Sequence, residues 1–407
     1  LRSLGIFTED YLACLRDLRF TGDVTAVREG EIAFPYEPIL TVSAPMLEAQ
    51  LVETALLTFI NHQTLIASKA AKICAAAGGG VMEFGLRRAQ GPDAGIYGAR
   101  AAMIGGCVGT SNVYAGKLFD VPVSGTMAHS WVMNFPSELE AFRAYARSFP
   151  DNCLLLVDTY DTLRSGVPHA IQVFKELREQ GYEPKGIRLD SGDLAYLSKA
   201  ARAMLDDAGF ENAIICASGD LDESLIRSLK AQGARIDTWG VGTKLITSAD
   251  MPALGGVYKL AAVYEGEKEV PKIKLSDTTE KITNPGVKEV YRIYDMPSHM
   301  AIADLIVRAG ERIDEAKPLT IFHPVDTWKR MTVTNYTVRK LREPLFAGGK
   351  RIAPKYKLSE IAAYRASEQA HFWEEYLRQD MPHIYKVDLS DQLYQLKKSL
   401  VEQFGVQ

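Results

Sequence analysis

Six short segments rich in glycine and in polar or charged residues each follow an apolar run that is typical of a β-strand. They contain arginine, histidine and aspartate, the residues that bind anions, coordinate metal ions and transfer protons. The segments are residues 85–88, 125–129, 158–161, 190–193, 218–220 and 240–243. If the strands are parallel and form a barrel, their carboxyl ends meet at one mouth. The pattern therefore predicts a single active site built from these segments.

Two of these segments favour phosphate binding. Ser218 and Gly219 lie at the end of one run, and Gly242 and Thr243 follow the next. Glycine lets backbone N–H groups approach a phosphate closely, and a following helix N-terminus adds a favourable dipole. A glycine that serves only turn geometry is the alternative. Because the segments follow adjacent final strands, where barrels commonly bind phosphate, we favour a phosphate site.

Arg188 and Asp190 lie at the predicted end of a strand. A cation and a carboxylate at that position suit pyrophosphate, magnesium or ribose hydroxyls. Ser191 or Asp193 could instead cap the following helix. Asp158 follows the preceding strand and raises the same possibility of binding. The sequence alone therefore does not decide whether the residues in this part of the chain bind a ligand or cap the following helix.

His129 and Arg87 are further candidates. His129, one of seven histidines, follows a glycine–threonine turn and does not lie on a helical face. A histidine there could be structural, solvated or catalytic. Arg87 could bind a planar carboxylate or a phosphate through paired hydrogen bonds, or pair with a surface carboxylate. The residue types alone leave these alternatives open.

The elements that must position these residues alternate between strand and helix. We predict strands at 81–84, 121–124, 153–157, 186–189, 213–216 and 237–240. We predict helices between them at 137–147, 163–180, 194–208 and 222–232. Six such strands favour an irregular (β/α) barrel, although a doubly wound open sheet gives a similar alternation.

The two ends of the chain differ from this middle. Strand-like and helical patterns flank it at 23–42, 46–75, 256–340 and 354–400. We therefore predict an α/β fold with a catalytic barrel at 76–258 and a second, smaller α+β domain of sandwich type. That domain is expected to combine residues 1–75 with residues 259–407, which end in helices.

Composition excludes several classes of protein. The chain has 407 residues and a formal net charge of −4, so it offers no basic face for nucleic acid. Its five cysteines are scattered, without the spacing of a zinc site or a disulfide framework. No apolar run reaches the roughly 20 residues that span a bilayer, and no signal-peptide pattern is present. We expect a cytoplasmic enzyme without nucleic-acid or membrane partners.

Several blocks together resemble the nicotinate phosphoribosyltransferase family. They are residues 83–91, 109–112, 125–130, 188–193, 240–243 and 255–260, and the resemblance runs from about residue 3 to about residue 265. It implies an irregular α/β barrel joined to a smaller sandwich-like domain. It also implies a homodimer with active sites near the subunit interface. In the family, a tyrosine-containing segment precedes the first helix and covers the nicotinate ring; this sequence begins at Leu1, and we expect that segment to have been trimmed.

The resemblance implies roles for the residues that would hold nicotinate. Phe84 would stack on the pyridine ring. Arg188 and Thr126 would hold the carboxylate and the reacting ribose, with Arg87 as a further candidate. Ser111 stands where the nicotinamide-using relative has an aspartate, and a carboxylate there would repel nicotinate but accept a hydrogen bond from an amide. Ser111 therefore favours the acid over the amide.

The same resemblance assigns the phosphate side and the catalytic residues. Asp158 and Asp190 would organise pyrophosphate and ribose, with magnesium held through the pyrophosphate and these two carboxylates as candidate contacts. His129 would be transiently phosphorylated by ATP. The predicted catalytic residues are His129, Arg188 and Asp190. The cradle for the 5′-phosphate would comprise Ser218, Gly219, Gly242 and Thr243.

The predicted reaction joins nicotinate to phosphoribosyl pyrophosphate and releases nicotinate mononucleotide and pyrophosphate, in NAD biosynthesis or salvage. Breaking the bond at ribose C1 builds positive charge on the sugar and negative charge on pyrophosphate, so the reaction needs magnesium and cations more than a general base. The alternatives are a nicotinamide phosphoribosyltransferase and a non-catalytic metabolite-binding homologue. A Schiff-base aldolase would need a lysine at a strand end, and Lys244 follows the predicted phosphate segment instead.

Overall fold

A computed structural model describes residues 1–278, 281–326 and 328–405. The chain divides into two compact units. The first unit comprises Leu1–Thr58, Gly256–Tyr356 and Ala363–Gln407. The second unit comprises Phe59–Gly255 and Lys357–Ala362. No helix in the described part of the chain has the length and apolar character that crossing a membrane requires.

The strands and helices are numbered in chain order. The strands are β1 (Asp23–Val27), β2 (Leu40–Ser43), β3 (Val81–Glu83), β4 (Gly109–Thr110), β5 (Leu154–Leu156), β6 (Gly186–Leu189), β7 (Ile214–Gly219), β8 (Thr238–Val241), β9 (Ala262–Glu265), β10 (Lys268–Pro271), β11 (Lys288–Asp295), β12 (Ala301–Arg308), β13 (Leu319–Phe322), β14 (Arg330–Val333), β15 (Tyr336–Lys340), β16 (Arg342–Ala347), β17 (Lys350–Arg351) and β18 (Lys386–Leu389). The α-helices are α1 (Glu9–Asp17), α2 (Met46–Leu51), α3 (Glu53–Ala77), α4 (Pro92–Ile104), α5 (Val113–Phe119), α6 (His129–Met133), α7 (Glu138–Ser148), α8 (Val167–Glu179), α9 (Leu194–Asp207), α10 (Glu223–Ala231), α11 (Thr243–Ile246), α12 (Leu358–Gln369), α13 (Glu374–Leu377) and α14 (Asp391–Phe404).

The second unit is built on a parallel sheet with the strand order β4-β3-β8-β7-β6-β5. In this sheet β3, the first strand in chain order, pairs with β8, the last strand, and Glu83 lies opposite Val241. Pairing of the first strand with the last is what a barrel needs, whereas an open doubly wound sheet keeps those strands apart. The predicted barrel is therefore confirmed.

The barrel is irregular on one side. The predicted strand at 121–124 is wrong, because this segment makes only an isolated parallel bridge between Val123 and Thr110. Two backbone hydrogen bonds of 3.0 Å hold it, one from Thr110 N to Pro122 O and one from Ser124 N to Thr110 O. Pro122 has no N–H group to donate, so the ladder cannot extend.

The helices of this unit begin largely where the sequence predicts. Ser137, Asp193 and Asp222 cap α7, α9 and α10 by accepting hydrogen bonds from backbone N–H groups in the first turn. The prediction of one helix over 163–180 needs correction, because a π-helical turn at Thr162–Gly166 precedes α8. Gly166 lies so close to the Val157 carbonyl that a Cβ atom there would be 1.8 Å from its oxygen. The turn is therefore packed directly on the end of the strand before Asp158.

The first unit contains a mixed sheet with the order β14-β13-β18-β12-β11-β15. The helical pattern predicted at 354–400 overlooked β18, whose Val387, Asp388 and Leu389 are buried and which pairs in parallel with β12. A strand of four residues between helices leaves little periodicity to detect. In a second sheet, β1 pairs with β16, with Val27 opposite Arg342. Strand pairing therefore joins the two ends of the chain in one unit.

A buried ion network supports the first unit. The side chains of Arg292, Glu31 and Asp304 are completely buried. Arg292 Nη1 lies 2.6 Å from Glu31 Oε1, and Arg292 Nη2 lies 2.7 Å from Asp304 Oδ2. Burial is costly for charges, but each of these charges has a close partner. Removing one partner alone would leave an uncompensated charge in the core.

Candidate active site

The parallel strands of the barrel bring the predicted polar segments to one edge of the sheet. Arg188 lies within β6, Ser218 and Gly219 end β7, and Gly242 follows β8 directly. Asp158 follows the short strand β5 by two residues. Carboxyl ends of neighbouring parallel strands share an edge, so this topology places residues far apart in sequence within contact range.

Asp158 is the centre of the site, because its carboxylate contacts three separate groups. Its Oδ1 atom lies 3.2 Å from His129 Nε2, and its Oδ2 atom accepts hydrogen bonds from Asp190 N at 2.8 Å and from Ser191 Oγ at 2.7 Å. The Asp158 side chain is 2% exposed and the His129 side chain is 38% exposed. The buried carboxylate therefore orients an imidazole that solvent and a ligand can reach.

Asp190 extends the network to the next strand. Its Oδ1 atom accepts a hydrogen bond from Ser218 Oγ. Gly219 has a φ of +121°, and a Cβ atom there would lie 2.9 Å from the carbonyl oxygen of Asp190. Only glycine combines that backbone conformation with that close approach. Packing against Asp190 is thus sufficient reason for Gly219, independent of any phosphate.

Arg188 and Thr126 are also brought together. Arg188 Nη1 donates a 2.6 Å hydrogen bond to Thr126 Oγ1, across 62 positions of sequence. Arg188 Nε is buried and has no hydrogen-bond partner among the described residues. A buried guanidinium N–H without a partner is unfavourable. The Arg188–Thr126 pair therefore places a fixed hydroxyl and a guanidinium with one unsatisfied, buried N–H together in the site.

Phe84 lies directly after β3, and its N–H donates a 2.8 Å hydrogen bond to Val241 O. Its ring covers Gly240, where a Cβ atom would lie 2.6 Å from two ring carbons. A side chain at position 240 would displace the ring. Gly240 therefore makes room for an aromatic surface, a role different from contact with phosphate.

The remaining predicted residues are not joined to the Asp158 network by hydrogen bonds within the described part of the chain. Arg87 is exposed on a short 3₁₀ turn. Ser111 is half-buried, and its N–H donates a 3.0 Å hydrogen bond to Glu83 O. Gly242 precedes the four-residue helix α11, which begins with Thr243. Among the described residues, no group of three or more histidine, cysteine, aspartate or glutamate side chains could hold a metal ion.

Two features of the site were not predicted from the residue types. Ser191 was considered as a helix cap, yet Asp193 caps α9 and Ser191 binds Asp158. Thr110 Oγ1 donates a buried hydrogen bond of 2.6 Å to Glu83, the residue before Phe84. A glutamate in an otherwise apolar strand was the available signal for Glu83, since an ionisable residue in such a position needs hydrogen-bond partners.

Comparison with known proteins places this site in a family. Residues 80–297 match the nicotinate phosphoribosyltransferase (NAPRTase) family, and this range contains every predicted site residue. Residues 1–61 match the NAPRTase N-terminal domain, and residues 287–397 match the nicotinate phosphoribosyltransferase C-terminal domain.

The chain belongs to the nicotinate phosphoribosyltransferase family, a family of enzymes.

Relatives of this family align over nearly the whole chain. The nicotinate phosphoribosyltransferase of Bacillus subtilis is 51% identical over 98% of this chain and 81% of its own length. That of Dictyostelium discoideum is 38% identical over 95% of this chain and 74% of its own length. The crystal structure of human nicotinic acid phosphoribosyltransferase superposes with a TM-score of 0.82 at 31% identity, covering 97% of this chain and 85% of the human chain. The resemblance inferred from the sequence blocks is confirmed, and it extends to the C-terminal part.

Proposed function

We propose that this member of the nicotinate phosphoribosyltransferase family transfers the phosphoribosyl group of phosphoribosyl pyrophosphate to nicotinate. The products would be nicotinate mononucleotide and pyrophosphate, in NAD biosynthesis or salvage. The observation that carries the proposal is the Asp158 network, which joins His129, Asp190 and Ser191 at the edge where Arg188 and Thr126 also meet. The identity of the relatives supports the choice of substrates.

Nicotinate would bind between Phe84 and the Arg188–Thr126 pair. The half-buried Phe84 ring offers a surface for the pyridine ring, and the guanidinium of Arg188, held by Thr126, supplies positive charge for the substrate carboxylate. The pyridine nitrogen is already a nucleophile, so the protein's contribution is to position it against ribose C1. As the new C–N bond forms, the C–O bond to pyrophosphate breaks, and both bonding electrons leave with pyrophosphate.

The carboxylates would act on the sugar and on the leaving group. Asp190 Oδ1 is bound by Ser218, while Asp190 Oδ2 has no hydrogen-bond partner among the described residues. An open carboxylate oxygen can accept from ribose hydroxyls or face a cation that is held mainly by substrate. Magnesium, when bound to pyrophosphate, would neutralise the charge that develops on it. Ser218, Gly219, Gly242 and Thr243 would cradle the 5′-phosphate.

His129 would couple ATP hydrolysis to the transfer. If Asp158 accepts the Nε2 proton, the lone pair of His129 lies on Nδ1, which has no described hydrogen-bond partner. Nδ1 would attack the γ-phosphorus of ATP, with cleavage of the P–O bond to ADP, and water would later release inorganic phosphate. A phosphohistidine at the mouth would change the local charge and so the affinity for anionic substrates.

We also propose a homodimer. The resemblance predicts one, and α5 carries three exposed apolar side chains, Val113, Tyr114 and Leu118, beside the exposed Val123. A patch of this kind is typical of a protein interface. Wild type should elute with the mass of two chains in light scattering, and the double variant Val113→Glu/Leu118→Glu should shift to one. Leu225→Glu, at another exposed leucine, is the control; a monomeric wild type would exclude the dimer.

The decisive assay uses labelled nicotinate and, separately, labelled nicotinamide, each with phosphoribosyl pyrophosphate and magnesium, with and without ATP. Wild type should form mononucleotide from nicotinate, with stimulation by ATP. His129→Ala should lose that stimulation, whereas His169→Ala, at a histidine paired with Glu138 in the same unit, should keep it. Preference for nicotinamide would refute the argument from Ser111. Absence of product from either substrate would favour a metabolite-binding homologue.

A further inference from the structure

Glu83 is a fully buried carboxylate directly beside Phe84. Its side chain accepts hydrogen bonds from Thr110 Oγ1 at 2.6 Å and from Gly85 N. Burial raises the pKa of the Glu83 carboxyl, and the hydrogen bonds from Thr110 and Gly85 partly counteract this. Glu83 has no cationic partner among the described residues, and such a carboxylate is an expensive group to retain in a core. A role in positioning other residues would explain why Glu83 is present in the core.

The two hydrogen bonds of Glu83 reach two different segments of the site. The bond to Gly85 N fixes the backbone immediately after Phe84. The bond to Thr110 fixes a hydroxyl that itself accepts a 3.0 Å hydrogen bond from Asn112 N. Ser111 lies between these anchored residues, and its own N–H donates to Glu83 O at 3.0 Å.

The geometry is therefore that of a brace between two strands. One residue, Glu83, binds the segment of Phe84 through its carboxylate and the segment of Ser111 through both its carboxylate and its carbonyl. Parallel pairing of β3 with β4 extends only from Met82 to Glu83, so it ends where these hydrogen bonds begin. The spacing of Phe84 and Ser111 thus depends on Glu83 and Thr110.

We propose that Glu83 is a positioning residue for nicotinate: through Gly85 and Thr110 it sets the distance between the aromatic surface of Phe84 and the Ser111 segment. This inference rests on the proposed function. Glu83 touches no substrate in this scheme. It determines the affinity for the pyridine substrate, and it leaves phosphoribosyl pyrophosphate binding unchanged.

Glu83→Gln and Thr110→Val test the brace from both sides. Glutamine keeps the shape but replaces one acceptor oxygen by a donor, and valine keeps the shape of threonine without the hydroxyl. Each should raise the KM for nicotinate about tenfold, the effect of one buried hydrogen-bond partner lost. The KM for phosphoribosyl pyrophosphate should change less than about twofold, and kcat at saturating nicotinate should stay within about threefold of wild type.

Matched variants separate positioning from general destabilisation. Thr110→Ser restores the hydroxyl and should return the KM for nicotinate to near the wild-type value. Glu138→Gln alters another buried glutamate of the same unit, bound to Ser165 and His169, and should leave that KM unchanged. The double variant Glu83→Gln/Thr110→Val should be no worse than the stronger single variant, because both changes break the same link.

The possible results divide clearly. Equal rises in the KM of both substrates would overturn the positioning role. A rise in the KM for nicotinate that is as large for Thr110→Ser as for Thr110→Val would also overturn it. Wild-type kinetics in both Glu83→Gln and Thr110→Val would overturn it as well. If Glu83→Gln does not fold, Thr110→Val still decides between these results. A folded wild type that forms no mononucleotide would refute the proposed function and this inference with it, whereas active wild type with unchanged variants would refute only the inference.

Discussion

Asp158 uses both carboxylate oxygens, one for His129 and one for Asp190 and Ser191. An asparagine there can still accept from Asp190 and Ser191 through its oxygen, but its nitrogen can only donate to His129 Nε2, which would place the imidazole proton on Nδ1. We expect Asp158→Asn to lower kcat/KM for nicotinate by about 10²-fold, in the range of losses for misplaced catalytic groups, and to abolish stimulation by ATP. Steady-state kinetics with and without ATP measures both effects.

Asp193→Asn is the matched control for that change. Asp193 lies in the next loop and caps α9 through a 3.0 Å hydrogen bond from Tyr196 N, which an asparagine side chain can also accept. Near-wild-type activity is expected. Similar losses in the two variants would mean that the loss in Asp158→Asn reflects loop stability and not the network.

The sequence predicts which residues lie at the site better than it predicts which of them contact each other. The sequence indicated Asp158, Arg188 and Asp190 because they lie at the ends of apolar runs. It did not indicate that Ser191 binds Asp158, because a serine after a strand is equally suited to capping a helix. Which residues contact each other depends on the direction in which the chain leaves the strand, and the sequence pattern does not specify that direction.

Among the elements of the barrel, the end of β7 is tightly packed against the site. Gly219 combines a positive φ with close approach to the Asp190 carbonyl. Gly219→Ala should therefore strain the backbone and push the Asp190 segment away from Asp158. We expect a loss of about 1–3 kcal/mol in the free energy of unfolding and at least a tenfold loss in kcat/KM. Urea unfolding and kinetics on the same preparation measure the two losses.

Gly181→Ala separates backbone strain from displacement. Gly181 has a φ of +88°, but within the described part of the chain no atom beyond its two chain neighbours lies within 4 Å of the position that a Cβ would occupy. This variant should lose about 1 kcal/mol of stability and keep its activity. If Gly219→Ala behaved in the same way, the contact with Asp190 would have no functional consequence.

At the scale of the whole molecule, pH should act through the buried carboxyl groups of the first unit. Both carboxylate oxygens of Glu37 are buried without a hydrogen-bond donor among the described residues. Burial, together with the nearby charge of Asp304, raises the pKa of Glu37 to about 11, although Arg292 partly counteracts the rise. Glu37 is therefore protonated in the native protein at neutral pH and ionised in the unfolded chain.

This difference predicts the sign of a pH effect. Between pH 4.5, the unfolded value, and about 11, the native state holds a proton that the unfolded state has released. The contribution of Glu37 to the free energy of unfolding is complete below this window and falls by up to about 1.4 kcal/mol for each pH unit within it. Glu37→Gln stays neutral, so its stability relative to wild type should rise with pH.

Urea unfolding of wild type and Glu37→Gln at several values from pH 6 to pH 9 measures this difference. Glu343→Gln, at an exposed glutamate of the same unit, should follow wild type throughout. A stability difference between Glu37→Gln and wild type that does not change with pH would mean that Glu37 is ionised in the native state.

The sequence by itself determined the alternation of strands and helices, the edge at which the polar segments lie, and the family, because hydrophobic periodicity and short motifs are local properties. Only the tertiary structure decided that β3 pairs with β8, that β18 lies inside a sheet, and that Glu83 braces Phe84 against Ser111. These features depend on contacts between distant residues. The free energy that stabilises these contacts comes from burial and hydrogen bonding between distant residues. Local propensity contributes little to it.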